Sequence, residues 1–272
     1  MIDEKMKQLK VYYEQYYPFK EISSLYEIND RREISFTLNN GTYIRYNTYN
    51  SVEEFKIDIC KNIPIKFDFG AIYKYKPSKG LKNIPERKEL VFDIDLTDYP
   101  RECCNDKQIC NECFLIIKVS VKLLNHILKE EFGFSKINFF FSGNRGLHCW
   151  VNDTCAMYLS NYERMGITSF INNVNIKHTY VEEYVKILQE YFNGKDFKEL
   201  LSKYFLKLDI NVSNEQKHLL KAPFCIHPTS QRVCVAIDPN SVDGLSLDDI
   251  PFLDQVINEP ELLEEYVKNI KI

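Results

Sequence analysis

The chain has 272 residues, of which 44% are hydrophobic, and a formal net charge of −4. That is enough apolar material for a real core, in one large domain or one domain with an appended module. No run of about 18 apolar residues occurs, which excludes a membrane-spanning helix. The charged stretch Met1–Lys10 lacks the apolar region of a signal peptide, so the chain is expected inside the cell.

Residues 3–27 read as helical, rich in tyrosine and broken at Pro18. Two strands follow, Glu33–Leu38 and Thr42–Tyr49, joined by Asn39-Asn40-Gly41, a hairpin signal. Ser51, with Glu54 three residues on, is placed to cap a helix reaching Asn62. Ile65–Tyr75 alternates like a strand. A loop follows in which Lys74, Lys76, Lys79, Lys82, Arg87 and Lys88 stand against Glu86 alone; it reads either as a solvated loop or as a surface that tracks phosphates. Glu89–Leu96 is a strand, and 111–131 an amphipathic helix stopped by Gly133. Lys136–Ser142 and Leu147–Val151 are strands around a tight turn, and residues 160–205 are mostly helical. Asp209–Val212 and 223–237 read as short strands. The tail, 242–272, holds eight acids and two bases and reads as one or two helices, leaving +2 for the rest of the chain. Short strands mixed with helices predict an α/β or α+β fold.

Three motifs carry chemistry. In Leu90-Val91-Phe92-Asp93-Ile94-Asp95-Leu96 the acids stand at i and i+2, so both leave one strand face above an apolar back. Paired Mg²⁺ or Mn²⁺ ions would relieve their repulsion, as in two-ion phosphoryl transfer; an edge strand with a wet face is the blander alternative. Cys103, Cys104, Cys110 and Cys113 fall within eleven residues and match a tetrahedral structural zinc site, although adjacent ligands are unusual at its start. The other cysteines, Cys60, Cys149, Cys155, Cys225 and Cys234, read as small buried hydrophobes. In Ser142-Gly143-Asn144-Arg145-Gly146-Leu147-His148 the glycines let backbone N–H groups approach an anion, and Ser142, Arg145 and His148 add donors suited to a triphosphate. Two smaller pieces remain. Asp209 is a lone acid between apolar neighbours, by itself more often a helix cap or loop acid, and His218, Lys221 and His227 lie in an apolar segment where Lys221 could meet a phosphate.

Taken in order, Glu89–Asp95, the cysteine cluster, Ser142–His148, Leu208–Ser213 and His218–Pro228 resemble the small catalytic subunit of archaeal and eukaryotic DNA primases, the eukaryotic branch most of all. The resemblance implies the prim fold: a mixed α/β (α+β) core with an RNA-recognition-motif-like catalytic unit, a zinc module (101–115), a reduced helical subdomain (155–205) and the acidic tail (242–272), all within a single domain of 1–272. It implies synthesis of short RNA primers on single-stranded DNA from ribonucleoside triphosphates. Asp93, Asp95 and Asp209 would hold two Mg²⁺ or Mn²⁺ ions, with Glu33 a further catalytic candidate. Ser142, Gly143, Asn144, Arg145, His148, His218, Lys221 and His227 would meet the nucleotide, with Tyr43 and Arg45 beside it and Asp68 near its sugar. A primase large subunit and a replicative polymerase would be partners, in the nucleus; the aromatics of 12–26, expected exposed, or the acidic tail could form the interface. Asn144 stands where the family usually has a second Arg, and Lys207 where an Arg is expected. Two rival readings share these motifs: a repair primase-polymerase favouring deoxynucleotides, and a non-catalytic zinc-bearing nucleic-acid module.

Overall fold

Alternation between apolar and polar residues builds two antiparallel sheets in the computed structural model, which describes residues 4–105, 108–174, 181–192 and 196–272. The first contains β1 (Arg32–Thr37), β2 (Tyr43–Asn47), β3 (Lys66–Tyr73) and β4 (Pro85–Arg87) in the order β2-β1-β3-β4. The second contains β5 (Leu90–Asp95), β6 (Ile137–Phe141) and β7 (Gly146–Val151) in the order β5-β7-β6, with the short β9 (Ala236–Ile237) on the far side of β6. A two-residue strand, β8 (Leu220–Lys221), pairs with β3, setting Lys221 opposite Asp68. The expected mixed α/β class is therefore observed.

Helices cover these sheets. The N-terminal aromatic segment forms α1 (Glu4–Val11), a π-turn over Tyr12–Tyr16 and, after Pro18, α2 (Phe19–Tyr26). Its rings are not the exposed surface expected of them. Tyr12, Tyr13, Tyr17, Phe19 and Tyr26 are buried. The Tyr12, Tyr13 and Tyr17 hydroxyls donate to the carbonyls of Phe224 (2.8 Å), Pro64 (2.9 Å) and Pro223 (3.0 Å). Each ring thus buries a large apolar area while its polar tip stays bonded. Tyr26 joins the two sheets, stacking on Phe69 at 4.9 Å and meeting Trp150 edge-on at 4.8 Å.

Ser51 caps α3 (Val52–Asn62), accepting from the Glu54 N–H, while the Glu54 carboxylate takes the N–H of Asn50 rather than that of Ser51. The long α4 (Asn111–Glu130) buries Phe114, Ile117, Val121, Leu124 and Leu128, the i, i+3, i+4 stripe expected of a helix against a core, and Gly133 follows at φ 68°. Between the strands and the tail lie α5 (Thr154–Met157), α6 (Asn161–Asn172), α7 (Val181–Tyr191) and α8 (Phe197–Tyr204); 175–180 and 193–195 of the expected helical subdomain lie outside the described residues. Cys149, Cys225 and Cys234 are buried as expected and Cys60 partly so, but Cys155 is exposed at the start of α5. Asp209–Val212 is not a strand: Asp209 caps α9 (Ile210–Asn214), because its carboxylate can satisfy the Asn211 N–H at 3.0 Å. The tail ends in α10 (Leu253–Asn258) and α11 (Glu261–Val267).

The strand that carries the acid pair is anchored by charge. Glu89, just before β5, meets Arg32 of β1 in a bidentate pair of 2.7 and 2.9 Å, with both side chains fully buried. Buried Arg164 of α6 donates to the carbonyls of Lys88 (2.5 Å) and Glu89 (3.0 Å). Breaking such a buried pair from one side costs about 3–5 kcal/mol, so the start of β5 is fixed by the first sheet on one side and by α6 on the other.

Candidate active site

Asp93 and Asp95 project from β5 toward a cleft of about 460 Å³ that lies between the sheets and is also lined by Asp68, Asp209, Lys66, Lys221, Arg145, His148 and His227. Strand register explains the assembly. Asp93 pairs with His148 and Asp95 with Gly146 across β5 and β7, so the turn 142–146 stands at the acid end of the strand. Asp209 joins through its backbone: its N–H donates to the Asp93 carbonyl at 2.9 Å, which brings the third acid beside the pair. No local motif links residues 93 and 209; the α9 cap does.

The three acids are crowded. Burial, then the charges of Asp209 and Asp95, raise the Asp93 pKa to about 7, against smaller opposing effects of Lys221 and the Ile94 N–H. Neighbouring side chains only partly relieve this. Arg145 Nε lies 3.8 Å from Asp95, and His148 Nε2, an uncharged ring, lies 3.7 Å from Asp93. Asp95 also accepts from the Thr97 N–H (2.8 Å) and hydroxyl (2.9 Å). An oxygen-rich, incompletely neutralised site of this kind fits hard divalent cations.

Opposite the acids the charge reverses. His148 is held well below its ordinary pKa by burial and by Lys221, Lys66 and His227, and its Nδ1 is buried with no hydrogen-bond partner among the described residues. His227 is lowered to about 4 by burial, then by Lys221, Arg145, Lys66 and Lys5. The Lys221 ammonium donates to the Ser142 carbonyl, and Ser142 Oγ accepts the Gly146 N–H at 2.8 Å. Gly143 adopts φ +87°, and a Cβ there would sit 2.8 Å from the Arg232 carbonyl, so the turn requires glycine. This end of the cleft is built for an anion.

The remaining candidates divide. Asp68 lines the cleft, bonded to Ser35 Oγ at 2.8 Å and 3.6 Å from the Lys66 ammonium. His218 lines both this cleft and a second cavity of about 490 Å³, where Tyr43 and Arg45 are found. Glu33 lines neither: its side chain is fully buried and its oxygens are taken by Arg45 Nε (2.8 Å) and the Tyr73 hydroxyl (2.9 Å), so it holds Arg45 in place. Sequence reading passed over Lys66, although it stands at i−2 from Asp68 on one strand face. Lys88, read from the sequence as one of the loop cations, is instead buried, lowered to about 7 by burial and by Arg164, and bonded to the His218 carbonyl.

The four cysteines form a separate centre. The Sγ atoms of Cys103, Cys104, Cys110 and Cys113 all lie within 4.8 Å of one another, and Cys110 and Cys113 open α4, with the Cys110 N–H donating to Cys113 Sγ at 3.2 Å. The reciprocal donation, from the Cys113 N–H to Cys110 Sγ, is the largest of the causes that lower the Cys110 thiol to about 7. Residues 106 and 107 of the expected zinc module lie outside the described residues. Four converging thiols with one already biased toward thiolate suit a closed tetrahedral zinc ion.

A model of the DNA primase small subunit family matches residues 92–239, more than half of the chain and the stretch that holds the acids, the cysteines and the phosphate-facing turn. The chain belongs to that family. It is 30% identical over 331 residues to the DNA primase small subunit of Saccharomyces cerevisiae, covering 85% of this chain and 80% of the yeast protein. The alignment is longer than the chain itself, so the yeast protein carries insertions that this primase subunit lacks. The archaeal PriS of Picrophilus torridus is 30% identical over 149 residues, covering 53% of this chain and 40% of that protein. Among solved structures, the polymerase domain of Mycobacterium tuberculosis ligase D in complex with DNA is 13% identical, with a TM-score of 0.49 over 95% of this chain and 93% of that one. Membership makes this chain a nucleotidyltransferase, and the matched region begins one residue before Asp93.

Proposed function

We propose that this chain makes short RNA primers on single-stranded DNA, joining ribonucleotides at Asp93, Asp95 and Asp209. The observation that carries the reading is the charge reversal across one cleft: three crowded acids face Lys221, Arg145 and Lys66, with the neutral imidazoles of His148 and His227 among them. The cations would bind the triphosphate of the incoming nucleotide, and Ser142 with the backbone of the Gly143–Gly146 turn would add uncharged donors. Asp68, held by Ser35, would face its sugar, and Tyr43 and Arg45 would lie beside it. A 3′-hydroxyl then attacks the α-phosphorus in line and pyrophosphate leaves; for the first dinucleotide that hydroxyl belongs to a second nucleotide. Two Mg²⁺ or Mn²⁺ ions on the three acids, when bound, would supply the acidity for the hydroxyl and offset charge on the triphosphate. Glu33 would serve indirectly, as the buried anchor of Arg45. One zinc ion on the four cysteines would hold the 101–115 segment to α4. Membership also points to a primase large subunit and a replicative polymerase as partners, in the nucleus.

Incubation of the chain, alone and with a large subunit, with single-stranded DNA and labelled nucleotides tests the reading. Ribonucleotide oligomers that need template and divalent metal are expected. Efficient synthesis from deoxynucleotides alone would transfer the chain to a repair role, and no synthesis under either condition would leave only a binding module.

A further inference from the structure

The loop between β3 and β4 is not used by the chemistry above, yet it is built. Asn83 Oδ1 accepts the Ser78 N–H at 3.1 Å while its Nδ2 donates to the Ser78 carbonyl at 3.0 Å, Gly80 turns at φ +84°, and Lys74 N–H bonds the Ile84 carbonyl at 3.0 Å. This frame holds large side chains out in water: Tyr75 is 79% and Leu81 67% exposed, with Lys74, Lys76, Lys79 and Lys82 also exposed. The one acid of the run, Glu86, is occupied by Arg31 at 2.6 Å. The cations are therefore left facing solvent around an exposed aromatic ring, the pairing that single-stranded nucleic acids exploit through phosphates and stacked bases.

The loop is also continuous with the cleft. Leu81, Lys82 and Asn83 form one wall of the second cavity, Lys217 and His218 another, and Glu215 is its one acid. His218 and Leu219 are shared with the metal cleft, so the two cavities adjoin. The charged groups acting on His227 are Lys221, Arg145, Lys66 and Lys5, whereas those on His218 are Lys88 and then the acids Asp209, Glu215 and Asp68. A nucleotide with its triphosphate at the His227 end thus directs its base toward His218 and the second cavity. A templating base must meet it there.

We propose that the DNA template crosses this second cavity, with its phosphates on Lys79, Lys82 and Lys217 and one unpaired base stacked on Tyr75. The inference rests on the primase reading and adds the path of the strand. It is tested on the full chain with a short fluorescent oligothymidylate, measuring anisotropy across a salt series for wild type, a Lys82→Ala/Lys217→Ala double variant, Tyr75→Ala and Tyr75→Phe. Manganese–nucleotide binding to each protein is the control, because none of these residues touches the triphosphate end. The lysine variant is expected to bind more weakly and to flatten the slope of log affinity against log salt by about 0.7 per lysine. Tyr75→Ala is expected to weaken binding roughly tenfold, and Tyr75→Phe to retain it, since the ring stacks without its hydroxyl. Variants that bind the oligonucleotide like wild type, with the same slope, would overturn the path alone and leave the surface to an acidic protein. Wild type that binds no oligonucleotide would overturn the path and the primase reading together.

Discussion

The acid cleft and the cysteine cluster both gather metal-binding side chains, and they differ in almost every other respect. The cleft draws its ligands from two distant segments, β5 and the start of α9, leaves Asp95 44% exposed and faces a bank of cations. The cluster takes all four thiols from eleven consecutive residues at the mouth of one helix. An open oxygen site can exchange ions and admit substrate, whereas a closed thiolate site has no position left for chemistry. One is expected to serve catalysis at some cost in stability, the other to serve stability alone.

The largest separation should come from Asp95→Asn. Primer synthesis is expected to fall on the order of a thousandfold, reflecting the several kcal/mol that a metal clamp contributes, while the melting temperature holds or rises because one charge leaves a crowded trio. A clear drop in melting temperature would make Asp95 structural. Cys110→Ser should do the reverse. Loss of one zinc ligand is expected to cost on the order of 4 kcal/mol, read as a fall of roughly 10 °C in a thermal melt, with synthesis per folded molecule nearly kept; a chelator that strips zinc should reproduce it. Gly143→Ala tests the anion end. A Cβ 2.8 Å from the Arg232 carbonyl and 3.0 Å from His227 at positive φ is expected to cost about 1–3 kcal/mol and to weaken nucleotide binding, seen as a raised KM.

The smallest effect concerns protons, and the two centres should differ in sign. Zinc binding requires thiolates, so it releases protons and is favoured as pH rises. His227 is neutral in the free cleft because burial and neighbouring cations lower it to about 4. A bound triphosphate opposes those cations and raises the His227 pKa, so binding takes up protons and tightens as pH falls through roughly 6.5 toward 4. Calorimetry in buffers of different ionisation heat should show that uptake, reduced in His227→Gln. Equal uptake in the variant would remove His227 from the triphosphate's surroundings.

Legibility followed the range of the interactions. The i, i+2 spacing of Asp93 and Asp95, the Asn-Asn-Gly turn, the Ser51 cap and the Gly143 turn are local, and their physical causes lie within a few residues. The tyrosines of 12–26 looked like exposed aromatics because nothing nearby shows that Phe224, Pro64 and Pro223 supply carbonyls to their hydroxyls. Asp209 read both as the start of a short strand and as a helix-cap or loop acid, and only the turn it begins decides for the cap. Glu33 stood out as an acid beside the nucleotide, but its bonds to Arg45 and Tyr73 come from distant strand residues, and Lys66 was overlooked although it shares a face with Asp68.

By itself the sequence determined the composition of the two centres: which residues could hold a hard cation, which could hold zinc, and which turn could approach a phosphate. Only the tertiary structure decided that Asp209 bonds the backbone of Asp93, that β8 sets Lys221 opposite Asp68, and that Arg32 and Arg164 clamp the start of β5. The reason is physical. Side-chain chemistry is carried by each residue alone, but a charge reversal across a cleft exists only once strand register and buried ion pairs have brought distant segments together.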